Sequence, residues 1–150
     1  MGVLKARLAE DLKQAMKSGD RLKTSVIRLL ASLIKNREIE KRGELVDEEI
    51  IQAVVASCKL RKEAIEQYVK GGRNDLAAKE EAELKLLESY LPPPLSPEEL
   101  RQKVDEAILA SGAASLKDIG KAMALLMPEI SGRADGKVAS QMVREALSQR

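Results

Sequence analysis

Several residue types that carry common protein chemistry are missing from this sequence or nearly so. It has no histidine, tryptophan or phenylalanine, two tyrosines and a single cysteine, Cys58. Without histidine it cannot build a Ser-His-Asp or Cys-His catalytic site. One cysteine cannot supply the usual ligands of a zinc site or form an intrachain disulfide. We therefore expect no catalytic residues, no cofactor, no metal site, and an aliphatic core that includes Cys58.

The scarcity of aromatic residues also limits how the chain would bind nucleic acid, because two tyrosines cannot form a base-stacking platform. Charged residues interrupt every apolar stretch, so no segment reaches the length of a membrane span. The first residues are charged where a signal peptide has an apolar region. These features predict no membrane association and a cytoplasmic location, and they leave the oligomeric state open.

Apolar residues recur at helical spacing along most of the chain, and strand-like alternation is absent. The pattern predicts an all-α protein with an N-terminal domain of about four helices at 1–91, a proline linker at 92–94 and a C-terminal three-helix domain at 95–150. The residues expected to form the inward faces are Leu4, Leu8, Leu12, Met16, Leu22, Val26, Leu29, Leu30, Leu33, Ile34, Ile50, Val54, Cys58, Ile65, Val69, Leu76, Leu84, Leu87, Leu91, Val138, Met142, Val143 and Leu147.

Helix ends are marked by short polar signals. Asp20, Asp47 and Asp135 are expected to be N-caps, and Ser96 with Glu99 forms a capping box followed by proline at the first helical position. The second helix is expected to end at Gly43 and the sixth helix to span 115–127.

The modest net charge of +2 conceals an uneven distribution. Residues 1–43 carry 11 basic and 5 acidic side chains, residues 44–91 carry 7 and 11, and residues 92–150 carry 8 of each. The basic and acidic segments either attract one another and solvate their outer faces, or they orient a protein partner.

Three clusters merit a functional interpretation. The basic residues that end the second helix complement its dipole or contact phosphates. A group of glutamates before the proline segment forms a solvated face rather than a metal site, because neighbouring helical positions point about 100° apart. The turn at 131–137 either exposes amides and cations to a phosphate or simply joins two helices with Asp135 as cap. The residues of the first two clusters are Lys35, Arg37, Lys41 and Arg42, and Glu80, Glu81, Glu83 and Glu88.

Separated motifs in this order resemble the GatB/YqeY family of YqeY-like proteins. They lie at 35–43, 68–76, 83–92, 120–128 and 132–137. The resemblance implies a C-terminal domain similar to the tail of the tRNA-dependent amidotransferase B subunit, which helps hold the misacylated tRNA. It also implies the carbon–nitrogen ligase activity, with glutamine as amido donor, that is attached to the family. The glutaminase and kinase chemistry of the amidotransferase lies in other domains and subunits, so we expect no enzymatic activity from this chain alone.

The same resemblance implies a set of nucleic-acid contacts in the C-terminal domain. Two departures from the family pattern are Glu129, where many relatives have lysine, and Ser140, where asparagine is common; Glu129 would repel phosphate. The sequence therefore predicts a noncatalytic adaptor that binds tRNA or another RNA and acts beside or like an amidotransferase tail, or alternatively a protein-interaction module with no nucleic-acid role. The candidate contact residues are Lys117, Lys121, Arg133, Lys137 and Arg144.

Overall fold

A computed structural model describes residues 2–149, which form α-helices without any β-strand in that range. The predicted all-α fold is confirmed. None of the helices in the described range is long and apolar enough to cross a membrane. The helices are α1 (Val3–Ser18), α2 (Arg21–Lys41), α3 (Asp47–Lys70), α4 (Asn74–Glu88), α5 (Pro97–Ser111), α6 (Ile119–Ile130) and α7 (Gly136–Ser148), with a 3₁₀ turn at Leu116–Asp118 before α6.

The described chain forms two compact units that divide between Leu91 and Pro92. Helices α1–α4 surround the core of the N-terminal unit, and α5–α7 surround that of the C-terminal unit. Both cores are almost entirely aliphatic, as the composition requires. Side chains with no more than 2 % exposure include Val26, Ile27, Leu30, Ile50, Val54 and Leu87 in the first core, and Val104, Ile108, Leu126, Ile130, Val143 and Leu147 in the second.

Tyr90 is a buried aromatic residue at the end of the N-terminal unit. Its hydroxyl donates a hydrogen bond of 2.5 Å to Asp11 Oδ2, and the guanidinium of Arg7 lies 4.5 Å from the ring centroid. Arg7 Nη2 also donates to the carbonyl of Ser89 at 3.2 Å. These contacts fix the segment that follows α4 against α1.

Three predicted helix starts, at Asp20, Ser96 and Asp135, are confirmed by side-chain hydrogen bonds. Asp20 Oδ1 accepts from the amide of Lys23 at 3.0 Å, at the start of α2. In front of α5, Ser96 Oγ accepts from the amide of Glu99, and Glu99 Oε1 accepts from the amide of Ser96, each at 3.1 Å. These bonds satisfy amide groups that the first turn of a helix leaves without a partner.

The predicted cap of α3 is wrong. Val46 occupies the N-cap position, and its amide donates to Glu49 Oε1 at 3.1 Å. Asp47 is the first helical residue, and its Oδ1 instead accepts from the amide of Leu4 at 3.3 Å. Asp47 therefore satisfies an amide in the first turn of α1, where a carboxylate also complements the helix dipole.

The ends of α2 and α6 also differ from the prediction. Helix α2 ends at Lys41 rather than at Gly43, and Arg42 takes a left-handed conformation with a φ of 62°. Helix α6 continues through Pro128 to Ile130. Ala124 and Pro128 both lie on the exposed side of α6, so the carbonyl that proline leaves without a donor is not enclosed in the core.

Several apolar residues expected in the cores are exposed instead. The exposed fractions are 54 % for Met16, 58 % for Leu29, 53 % for Val69 and 51 % for Val138. On α1, Ala15 occupies the buried position beside Met16. Met16, Leu29 and Val138 are each next to a buried residue, so periodicity alone assigned them to the wrong face, whereas Val69 lies beyond Cys58, the last buried residue of α3.

Candidate nucleic-acid interface

The turn between α6 and α7 is built around Gly132 and Asp135. Gly132 has a φ of 77°, a left-handed conformation that lets the chain reverse after α6. Asp135 is the N-cap of α7, and its Oδ1 accepts from the amide of Lys137 at 2.8 Å. A carboxylate of the chain itself therefore occupies the start of α7. Of the two interpretations of this turn, the structure favours the helix-joining one over a phosphate bound by backbone amides.

Arg133 has a structural contact that its sequence position did not reveal. Its Nε donates to the carbonyl of Pro93 at 3.0 Å, and its own carbonyl accepts from the amide of Leu95 at 2.8 Å. The side chain is half-buried. Arg133 thus fastens the proline segment to the α6–α7 turn within the C-terminal unit, which makes it a poorer choice for a phosphate contact than the other four cations.

The other predicted contact residues, Lys117, Lys121, Lys137 and Arg144, are all exposed. Lys121 Nζ lies 3.8 Å from Asp118 Oδ1, and the remaining three form no ion pair with any carboxylate in residues 2–149. Lys137 and Arg144 are two turns apart on the same side of α7. Helix α7 packs against both α6 and the 3₁₀ turn, which carry Lys121 and Lys117.

Two carboxylates of the C-terminal unit, those of Asp118 and Glu129, are held by other groups of the protein. Asp118 Oδ2 accepts from the amide of Ala114 at 2.9 Å, and this hydrogen bond is the main reason that the pKa of Asp118 lies below its ordinary value. Glu129 Oε2 lies 3.3 Å from Lys103 Nζ. Lys103 therefore offsets part of the repulsion that Glu129 was predicted to exert on a phosphate.

The glutamates before the proline segment do not form a uniformly solvated face. Glu83 is buried, with 8 % of its side chain exposed, and it pairs with Arg61 of α3. Glu80 Oε2 lies 2.9 Å from the same Arg61 Nη1. The prediction was therefore wrong for Glu83. We call Arg61, Glu80 and Glu83 the buried ion cluster; within the described residues, no group of acidic and cysteine side chains could hold a metal ion.

Burial dominates the electrostatics of this cluster. It raises the pKa of Glu83 above the ordinary value, and the charge of Arg61 acts in the opposite direction. Arg61 Nε is buried without a hydrogen-bond partner in the described structure. These features are typical of a structural ion pair whose desolvation is only partly compensated.

Cys58 lies in the core of the N-terminal unit, as its position on an apolar stripe predicted. Burial raises the pKa of its thiol to about 11, and the negative charge of Glu88 contributes to the same shift. The thiol is therefore protonated near neutral pH, which argues against a role as nucleophile.

The basic residues at the end of α2 differ in whether they form an ion pair. Lys41 Nζ lies 2.6 Å from Glu49 Oε1 and donates to the carbonyl of Glu44 at 2.9 Å. Lys41 thus connects the basic segment to the acidic one, as expected if the two segments attract one another. Lys35 and Arg37 form no ion pair within residues 2–149.

Comparison with known proteins identifies a family that matches nearly the whole chain and individual relatives that match two thirds or more of it. A family model described as Yqey-like protein matches residues 5–147. The yeast protein "Altered inheritance of mitochondria protein 41, mitochondrial" of Vanderwaltozyma polyspora is 40 % identical over 119 residues, which cover 75 % of this chain and 64 % of that protein. The protein of the same name from Eremothecium gossypii is 39 % identical over 106 residues, covering 67 % and 56 %. The chain thus spans a little over half the length of these relatives.

The names of these relatives overturn one prediction from the sequence. Both are mitochondrial proteins by name, so the predicted cytoplasmic location is wrong by this comparison. That prediction depended on the absence of an apolar signal region and of a membrane span. Neither absence argues against mitochondria, because mitochondrial transit peptides are amphipathic and rich in arginine rather than continuously apolar.

Proposed function

Because the chain belongs to the YqeY-like family, we propose that it is a noncatalytic, RNA-associated helical adaptor whose C-terminal unit binds tRNA in the manner of an amidotransferase tail. The observation that carries this proposal is the set of exposed cations in that unit, Lys117, Lys121, Lys137 and Arg144, of which only Lys121 approaches a carboxylate among the described residues. Lysine and arginine side chains left free in this way release counterions when they contact phosphates.

Recognition by these residues would depend on the RNA backbone rather than on base sequence. Contacts from lysine and arginine to phosphate position a protein without reading bases, and an RNA fold then provides selectivity through its shape. Tyr68 and Tyr90 both lie in the N-terminal unit, so the proposed binding surface contains no aromatic side chain for stacking.

The test is tRNA binding measured by fluorescence anisotropy across a salt series. Four phosphate contacts predict that affinity falls on the order of 10²-fold between about 50 and 200 mM salt. Replacing all four cations by glutamine should abolish most of this dependence and weaken binding at low salt. The substitutions are K117Q, K121Q, K137Q and R144Q.

A matched control removes four exposed lysines from the acidic segment by the substitutions K59Q, K62Q, K79Q and K85Q. It changes the net charge equally and should leave most of the affinity intact. Arg133 is kept in both variants because of its contact with Pro93. Binding that is insensitive to salt, or that falls equally in both variants, would contradict the proposal.

A second candidate function, a protein-interaction module with no nucleic-acid role, is favoured by apolar side chains on the same unit. Leu116 and Leu125 are each 47 % exposed, and Met127 is 41 % exposed. Burial of aliphatic side chains against a protein surface lowers the free energy of binding, whereas contact with a phosphate backbone does not.

This candidate is tested by L125E, with L109E as control. Leu109 is 82 % exposed on α5, so the control introduces the same charge on another face. If this function is correct, a partner identified by crosslinking should be retained after nuclease treatment and lost with L125E alone. Retention in both variants would contradict it.

A further inference from the structure

Two of the apolar residues that were expected in the core meet at one place on the surface of the N-terminal unit. Met16, at the end of α1, and Leu29, in the middle of α2, both line an open groove of about 590 Å³. Each side chain is more than half exposed. Met16 and Leu29 therefore have the sequence pattern of core residues, but no element among the described residues covers them.

The remaining lining of the groove is small or polar. Ala15, Gly19, Ser25 and Ser32 contribute short side chains or none, which leaves room above Met16 and Leu29. The groove is open along its length rather than enclosed. Such a shape fits the side of a protein element better than a small molecule, which is usually bound with most of its surface covered.

The charge around the groove is positive. Arg21 and Arg28 lie on its α2 side, are exposed, and form no ion pair within residues 2–149. Arg28 Nη2 lies 3.8 Å from Met16 Sδ, so a cation directly borders the apolar surface. Asp20, the carboxylate among the lining residues, already accepts from the amide of Lys23.

The spacing of the two arginines indicates where a partner would carry its carboxylates. They are seven residues apart, which places them on one side of α2 about 10 Å apart along its axis. Carboxylates two turns apart on a second helix have the same separation. Leucine-like residues between those carboxylates would cover Met16 and Leu29.

We propose that this groove binds an acidic amphipathic helix of a partner protein. Its apolar side chains cover Met16 and Leu29, and its carboxylates pair with Arg21 and Arg28. An RNA backbone would satisfy the arginines but would leave the apolar surface exposed to water, so the observations favour a protein. This binding surface lies in the N-terminal unit and is independent of the tRNA contacts proposed for the C-terminal unit.

The probe is a labelled helical peptide of about 20 residues, with leucines along one side and two glutamates seven positions apart beside them. Binding to the full chain is measured by anisotropy, and the methyl signal of Met16 is followed by NMR. L29E should weaken binding at least tenfold. L60E is the control, because Leu60 is 68 % exposed on α3, away from the groove residues.

Charge reversal provides the decisive comparison. The double variant R21E/R28E should no longer bind the acidic peptide. It should instead bind a peptide in which lysines replace both glutamates. Absence of peptide binding, equal loss with L29E and L60E, or failure of this exchange would overturn the proposal. Loss of tRNA binding in R21E/R28E, with the peptide still bound, would assign the groove to RNA instead.

Discussion

Replacing Arg61 by methionine is expected to destabilise the N-terminal unit by about 3–5 kcal/mol, as found when one partner of a buried ion pair is removed. The Arg61 side chain is 16 % exposed and that of Glu83 is 8 % exposed. Methionine fills much of the arginine volume but leaves the Glu83 carboxylate buried without a cation. Urea unfolding followed by circular dichroism measures the change.

The destabilisation should carry a pH signature. Burial already raises the pKa of Glu83, and the charge of Arg61 opposes that rise. Without Arg61 the pKa rises further, so the folded state binds a proton that the unfolded state does not bind at pH values above the ordinary glutamate pKa. Stability then increases as pH falls toward that value, and the deficit of R61M should shrink between neutral pH and about pH 5.

The matched control is R73M. Arg73 pairs with Asp75 at 3.2 Å, but their side chains are 60 % and 67 % exposed, so this pair should contribute little to stability. The double variant R61M/E83L should recover much of the lost stability, because apolar replacement also removes the unpaired Arg61 Nε. Equal effects of R61M and R73M would contradict this account of the cluster.

Replacing Ile108 by alanine is expected to destabilise the C-terminal unit by about 2–5 kcal/mol. Ile108 is completely buried in its core, where Val104, Leu126 and Val143 are also buried. Loss of the side chain leaves a cavity that the neighbouring helices fill only in part. The matched control is L109A, which removes a side chain that is 82 % exposed and should change stability by less than about 0.5 kcal/mol.

The same variant tests the division of the chain into domains. We propose that residues 1–91 and 95–150 fold independently and that the prolines at 92–94 join them. Amide hydrogen exchange should then report faster opening of α5–α7 in I108A and unchanged protection in α1–α4. Loss of protection in both units to the same extent would show that they unfold as one.

The features that the sequence predicted well are those decided by neighbouring residues. The capping box of Ser96 and Glu99 and the cap of Asp20 each join positions three residues apart, so a local pattern contains all the required information. The aliphatic character of both cores follows directly from the composition. The all-α fold follows from the periodicity of the apolar residues.

The features that the sequence did not reveal depend on distant residues. Asp47 meets Leu4, Arg61 meets Glu83, and Arg133 meets Pro93, across separations of 43, 22 and 40 positions. No local pattern specifies which of several charged residues makes such a contact. The four glutamates of one sequence cluster are therefore one buried residue, one half-buried residue and two exposed residues.

The candidate site shows the same division. Exposure of Lys117, Lys137 and Arg144 was predictable, because cations between apolar helical positions face solvent. The cap formed by Asp135 was predictable as well, whereas the contact of Arg133 with Pro93 was not, because it depends on how the α6–α7 turn closes. The groove was also missed, since the pattern assigns Met16 and Leu29 to a core and does not show where that core ends.

The position of Cys58 allows opening of the N-terminal unit to be measured through a residue of the chain itself. The chain has a single sulfhydryl, and it is buried in one of the two cores. An alkylating reagent therefore reads the opening of that core directly, with no engineered label and no signal from the other unit. The rate of modification in each variant described above gives the opening equilibrium of α1–α4 in the intact chain.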